Sequence, residues 1–224
     1  MTTISDAFAA IQETIWKCTV CMGDARIEVR LRQQTRVLPA RARLLIVATA
    51  PPYQEGVHQQ IEAPSVHSDP KDRLRAFITR TLELDWGDLV DRGLAVVHAV
   101  KCAIVPRDRR VDARQHQNPP SGVTTKCARL PFSREFRELK APVVMTLGGA
   151  ARLAVRRACG VDAPPSLTLP LKDIPRSELF EIDSKAVRFR LIASCHPSAD
   201  PQRARDDLLR SANIAGIRGN PGSW

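Results

Sequence analysis

Four short apolar runs punctuate the chain, at residues 44–48 (Leu-Leu-Ile-Val-Ala), 94–100, 143–147 (Val-Val-Met-Thr-Leu) and 186–193, and the stretches between them tend to place their apolar positions at helical spacing. Aliphatic runs of this length that do not alternate with polar residues are the form of strands buried on both faces, as in a parallel sheet covered by helices. The last run alternates at first, through Arg188 and Arg190, and becomes fully apolar only at its end. Strands alternating with helices predict an α/β fold: a central, mainly parallel four-stranded sheet flanked by helices, in a single domain.

The helical stretches are bounded by recognisable stops. Residues 4–16 carry Ile4, Phe8, Ile11 and Ile15 on one face and lead into Cys18-Thr19-Val20-Cys21, so residues 1–24 read as a helix followed by a thiol clamp. Ser68-Asp69-Pro70 supplies a cap and a first-turn proline for a helix to about residue 84, closed by Trp86-Gly87. A further helix is expected from Cys127 to Lys140, one over 150–159 stopping at Gly160, and a last one over about 201–215, with a mobile tail at 216–224. Residues 24–43 are basic and weakly periodic, and the polar passage up to Thr125 reads as a long loop. Residues 161–183 are proline-rich, with one short strand expected at 167–171. The strand, glycine pair and helix around Gly148-Gly149 lack the Lys-Ser/Thr of a phosphate loop and the longer glycine pattern of a dinucleotide fold, which excludes both readings.

Composition narrows the function classes. No long uncharged apolar run and no charged-then-apolar leader occurs, so neither a membrane span nor export is expected; the reading is a cytoplasmic monomer. Lys and Arg number 34 against 24 Asp and Glu, a formal charge of +10, which favours a polyanionic partner, DNA above all. A basic surface without such a partner is the plain alternative. Six cysteines in a chain with these features argue for metal or redox use rather than a disulfide framework. Cys18 and Cys21 can hold one metal centre from a single turn, and Gly23-Asp24 reads as a turn rather than the continuing helix a thioredoxin-type site requires.

In an open parallel sheet, ligands bind outside the carboxyl ends of the strands. Three of the predicted strands end in chemistry. The first runs into Thr49-Ala50-Pro51-Pro52-Tyr53-Gln54-Glu55, the second carries His98 and leads to Lys101-Cys102, and the last ends in Ser194-Cys195-His196-Pro197-Ser198. Taken singly, each histidine could be a helix cap or a satisfied core residue; together, at carboxyl strand ends, they mark a pocket.

These pieces resemble the uracil-DNA glycosylase superfamily, in particular its iron–sulfur-bearing families four and five, over residues 18 to about 209. The resemblance rests on Cys18/Cys21, Ala48-Thr49-Ala50-Pro51-Pro52, Val97-His98-Ala99-Val100-Lys101-Cys102, Cys127 and His196-Pro197-Ser198, in that order. It implies a [4Fe-4S] cluster on Cys18, Cys21, Cys102 and Cys127, with zinc the runner-up because tetrahedral sulfur ligation suits both. It also implies a DNA glycosylase that flips out and hydrolyses off uracil or another modified pyrimidine, leaving an abasic site, in repair or against foreign DNA. On that basis His196 donates to the leaving base, Thr49 holds the attacking water, and Glu55 is the carboxylate able to act as base. Substrate contacts fall to His98, Ala50, Pro51, Tyr53 and Ser198. Cys195 adjoins the pocket without a catalytic role, and Cys159 is a small core residue.

The sequence departs from the family where the base is read. Thr49 stands in place of a Glu, His98 in place of the Asn that meets the uracil edge, and no Phe supplies the stacking ring, for which Tyr53 and His67 are substitutes. An Asn amide offers donor and acceptor from one plane, whereas a neutral imidazole presents one of each from a ring pointing elsewhere, so a changed base is expected. The competing readings are an iron–sulfur DNA-binding protein that has lost chemistry, and a zinc-stabilised nucleic-acid module.

Overall fold

A strand buried on both faces needs helices above and below it, and the chain supplies them in alternation. The computed structural model describes residues 6–21, 23, 27–32, 38–51, 69–105, 119–160, 169–183 and 187–218. In chain order the elements are α1 (Asp6–Trp16), β1 (Ile27–Arg32), β2 (Leu44–Ala48), α2 (Arg73–Leu82), α3 (Trp86–Asp91), β3 (Leu94–His98) and β4 (Cys102–Ile104). They continue with α4 (Ser121–Arg129), α5 (Pro131–Leu139), β5 (Val143–Leu147), α6 (Gly149–Cys159), β6 (Leu179–Asp183), β7 (Arg188–Ser194) and α7 (Pro201–Ile214).

The main sheet has five strands in the order β3-β2-β5-β7-β6. The first four run parallel, and β6 closes one edge antiparallel to β7. Successive side chains point to opposite faces. On one face Leu45, Val47, Ala95, Val97, Val144 and Leu191 pack against α4, α5 and α6 through Ala128, Phe132, Phe136, Ala154 and Val155. On the other, Leu44, Ile46, Leu94, Val96, Val143 and Met145 meet α2, α3 and α7 through Ile78, Leu82, Leu89, Leu208 and Ala212. Burying each such aliphatic side chain contributes roughly 1.5–3 kcal/mol, which is why the strands tolerate no alternation. Among the described residues no helix is long and apolar enough to cross a membrane.

The α/β class and the four parallel strands agree with the sequence pattern, but the sheet has five strands rather than four. The extra strand is β6; of the strand expected at 167–171, residues 167 and 168 lie outside the described residues, 169 and 170 are not strand, and Leu171–Asp173 is a 3-10 turn. Its Phe180 and Ile182 face inward while Glu181 and Asp183 point outward, a one-sided edge pattern that two charges among five residues conceal. The helix expected from residue 70 begins later. Asp72 caps it, accepting from the backbone N–H of Leu74 and Arg75 at 2.8 and 2.9 Å, and Glu83 ends it in the left-handed region, so Trp86 starts α3 instead of closing α2. The helix expected over 127–140 is two, because Pro131 has no N–H and keeps Leu130 (φ −121°, ψ −77°) out of helical geometry; Cys127 therefore lies in the last turn of α4, not at a helix start. Within the weakly periodic stretch after Asp24, β1 pairs antiparallel with β4, Ile27 opposite Ile104.

The turn into β3 depends on Gly93. Its φ is +100°, its carbonyl accepts from the N–H of Arg43 and Leu44, and a Cβ there would stand 2.9 Å from the Arg41 carbonyl oxygen. Gly93→Ala is expected to lower stability by roughly 1–3 kcal/mol in denaturant titration, from backbone strain and this clash together. An unchanged midpoint would contradict the turn.

Candidate functional site

The strand order reverses between β2 and β5, since the chain proceeds from β2 to β3 on one side and reaches β5 on the other. A crevice opens at such a switch point, at the carboxyl edge. Thr49 lies there, 1% exposed, its Oγ1 donating to the Leu147 carbonyl at 3.1 Å across the switch. With the proton committed, Thr49 can hold a water only by accepting from it. On the β5 side Gly148 (φ +90°) sends its N–H to Ser194 O at 2.8 Å and starts α6. His98, 4% exposed, ends β3 opposite Ala48 and follows Leu94 and Val96 in the alternation, towards the α2–α3–α7 face.

His196 follows β7. Its Nδ1 accepts from the backbone N–H of Ser198 at 3.3 Å and is 2.8 Å from Ser198 Oγ. A nitrogen that accepts from an amide carries no proton, so the ring proton is on Nε2 and Nε2 is the donor. His196 does not cap the last helix: Asp200 does, Oδ1 accepting from Arg203 N at 3.0 Å, while the His196 carbonyl closes the turn over Ala199. His98 ends β3 and His196 follows β7, three strand steps apart, roughly 14 Å at ~4.8 Å per step, so the switch point lies between them.

A buried charged pin lies against the carboxyl half of β7, with Arg203 3.5 Å from Ala193 O. Arg203 is buried, and its guanidinium donates to Leu171 O (3.1 Å) and Ile174 O (2.9 Å) with Nε 3.6 Å from Asp207 Oδ2. Asp207 in turn accepts from Ser177 N and Oγ, both at 2.8 Å. Arg203 is thus an internal residue and not a DNA-facing one, whereas Arg205 and Arg210 on the same helix are exposed. Arg152 is buried nearby, its basicity lowered by burial and then by the Arg203 charge. The signal was available: Arg203 and Asp207 are one turn apart in line with Ala204, Leu208 and Ser211, the buried face of α7.

The cysteines form a second centre. Cys18 follows α1 within a helical turn, its N–H bonded to Ile15 O, and Cys18, Cys21, Cys102 and Cys127 all line one narrow cavity with Ile15, Lys101, Lys126 and Pro131. All four are free thiols, Cys18 half-buried and the rest buried. Burial pushes the Cys127 thiol up to about 11, against the Lys101 backbone N–H that bonds its sulfur. Cys21, Cys102 and Cys127 share an apolar cluster with Val100, Ile27 and Ile104, against which Ala50 packs, so the loop after β2 touches both centres. The sulfurs share a cavity without closing on a point: among the described residues, no three His, Cys, Asp or Glu side chains form a ready-made ion site. Four soft donors around one cavity beside two lysines fit an iron–sulfur cluster or zinc by donor chemistry.

One wall of that cavity hides a charge pair that sequence spacing does not reveal. Lys101 pairs with the carboxylate of Glu135 on α5, at 4% and 0% side-chain exposure, and Gln12 Nε2 on α1 donates to the same carboxylate at 3.0 Å. Glu135 lies with Phe132 and Phe136 on the buried face of α5, an alignment that hints at an internal position but not at its partner Lys101.

Of the remaining expected residues, Ala50 and Pro51 are placed beside the switch point, and Ser198 against His196. Tyr53, Glu55 and His67 lie outside the described residues, as does the tail beyond 218; within the tail expected to be mobile from 216, Ile217 is instead buried, its N–H bonded to Ala212 O and its carbonyl accepting from Arg92. Cys195 donates to Asp200 O at 3.2 Å, and Cys159 ends α6 in the core, its thiol pushed up to about 12 by burial. A separate cavity of about 240 Å³ at the amino edge, lined by Leu45, Phe136, Arg137 and Arg188 among others, is remote from both histidines. No family model matches the chain, and no curated protein sequence does.

Grouped thiols should respond as a group. In metal-free protein at mildly alkaline pH, alkylation followed by mass spectrometry is expected to label half-buried Cys18 first and Cys159 last, since a neutral buried thiol is a poor nucleophile. Reconstitution with ferrous iron and sulfide, or with zinc, should protect Cys18, Cys21, Cys102 and Cys127 together and leave Cys159 and Cys195 unchanged. Protection that omits any one of the four would remove it from the centre.

Proposed function

We propose that this chain is a DNA glycosylase of the uracil-DNA glycosylase type, carrying a [4Fe-4S] cluster on Cys18, Cys21, Cys102 and Cys127 and excising a modified pyrimidine other than plain uracil. The observation that carries the reading is the convergence of the motif residues: Thr49, His98 and His196-Ser198 come to one sheet edge at its switch point, and the four motif cysteines come to one cavity joined to that edge by Ala50 and by residues 99–101.

Each residue has a task that its surroundings support. Base excision leaves an anionic base, and a neutral imidazole with its proton on Nε2 is suited to donate to the base oxygen as charge develops; Ser198 holds that tautomer. Removing such a donor costs ~3–4 kcal/mol, or 10²–10³ in rate. His98 meets the base edge from the β3 side, buried enough that a mismatched base leaves polar atoms unpaired. Thr49 accepts from the attacking water; Glu55, outside the described residues, is assigned as the base for that water from the sequence resemblance alone. The cluster, when bound, orders the loops around it and takes no part in the cleavage. Exposed Arg205 and Arg210 on α7 meet DNA phosphates, with the net charge of +10 behind them.

One observation favours the second reading, a DNA-binding iron–sulfur protein without chemistry: the Thr49 hydroxyl proton is committed to Leu147 rather than available to substrate.

An abasic-site assay over DNAs carrying uracil and other modified pyrimidines separates the two. Weak cleavage at uracil and stronger cleavage at a bulkier-edged base is expected, abolished by His196→Ala, lowered about fivefold by Ser198→Ala from the loss of about 1 kcal/mol, and shifted towards uracil by His98→Asn. No abasic product from any modified DNA would leave the binding protein as the function. The iron is checked separately, by Cys102→Ser, which should lose colour and iron content.

Affinity for duplex DNA should fall steeply as salt is raised, in proportion to the phosphates neutralised. Arg205→Gln and Arg210→Gln should flatten that slope, while a flat slope in the unaltered protein would remove the DNA interface.

A further inference from the structure

We propose that the buried Lys101–Glu135 pair, tethered by Gln12, is a positioning element that biases the electron affinity of the four-thiol centre. The inference rests on the iron–sulfur reading of the cavity.

The pair is polarised with respect to that cavity. Lys101 lines it beside the cysteines and its charge acts on the Cys127 sulfur, whereas Glu135 is not among the lining residues, so the cationic partner of the pair is the one nearer the thiols. The Lys101 backbone reinforces the same sense, its N–H donating to the Cys127 sulfur. Four thiolates make any bound iron–sulfur core an anion, and a cation held in a low-dielectric wall acts on it far more strongly than one in solvent. Lys126 provides the internal comparison: it lines the same cavity but is exposed.

Simple stabilisation does not account for the pair. Two buried charges carry a desolvation cost that their attraction often only offsets, and well-packed apolar residues commonly serve as well. The pair also has a mechanical partner. Gln12 sits on α1 ahead of Cys18, so the hydrogen bond that fixes Glu135 also sets the helix that delivers the Cys18/Cys21 clamp. The position of the charge and that of half the ligands are thereby coupled, while the Lys101 ammonium, 5.5 Å from the Phe132 ring centroid, is held from its other side.

The test is a potentiometric titration of the iron-loaded, full-length protein, with dithionite as donor of the single electron the centre takes up; no bond is made or broken. Glu135→Gln keeps shape and hydrogen bonding but removes the negative charge behind Lys101, and should raise the potential. Lys101→Met should lower it. Each shift is expected to reach a tenfold change in the reduced-to-oxidised ratio at fixed potential, about 59 mV for a one-electron couple. Lys101→Arg should stay near the unaltered value, and Lys126→Gln should move it less than Lys101→Met because solvent screens that charge. Opposite signs for the Glu135 and Lys101 variants are the signature that loosened packing does not produce. Shifts of the same sign, no shift, or a larger effect at Lys126 would overturn the proposal while the cluster reading stands. If Lys101→Met fails to load, Glu135→Gln carries the test alone. An unaltered protein that takes up no iron defeats the cluster reading first, and this inference with it.

Discussion

Hydrogen bonding across the carboxyl edge of the sheet continues past the last residue of each strand, and the placement of everything chemical follows from it. Ala99 N–H bonds Ala48 O at 2.8 Å and Val100 N–H bonds Thr49 O at 2.9 Å, so the segment leading to Lys101 and Cys102 is laid along the loop after β2. Thr49 Oγ1 then reaches Leu147 O, and Gly148 N–H reaches Ser194 O, carrying the belt over β5 to β7. Each bond contributes only about 1 kcal/mol net. Their effect is geometric: the segments after β2, β3 and β5 are registered to a rigid sheet, and Thr49, Ala99, Val100 and Gly148 are held along its carboxyl edge.

That arrangement decides which parts of the molecule were legible in the sequence. β2, β3 and β5 are apolar without interruption because both their faces are covered, and a run such as Leu44-Leu45-Ile46-Val47-Ala48, too short for a helix and lacking any polar side, fits little else than a strand between two layers. β6 has one covered face and an edge, so its outward residues are charged and it reads as loop. Helix ends went astray where a local cap outweighed the periodic pattern: Asp72 draws the start of α2 inward with two backbone bonds, and Pro131 divides one apolar stripe between α4 and α5.

The site was legible to the same extent. His98, Thr49, His196 and the four cysteines stand out because their residue types are unusual beside apolar strands. Glu135, Arg203 and Asp207 do not, since a charged residue on a helix is ordinarily solvated and only their alignment with the apolar face of α5 or α7 hints that they point inward. Both buried pairs join segments far apart in the chain: Lys101 with Glu135 and Gln12, and Arg203 with Leu171 and Ile174. The first adjoins the thiol cavity, and the second ties α7 to β7 and to the segment 171–177.

The order of the cysteines along the chain has a consequence for synthesis. Cys18 and Cys21 leave the ribosome early, whereas Cys127 lies nearly half the chain later and sits in the last turn of α4. A cavity walled by all four thiols therefore has no counterpart in a shorter nascent chain, and closing so long a span is entropically costly until β2, β3 and their helices have docked. The first thiol pair must wait, exposed and reactive, while the rest of the wall is made. The length of that interval is set by the spacing of the cysteines rather than by the stability of the finished fold.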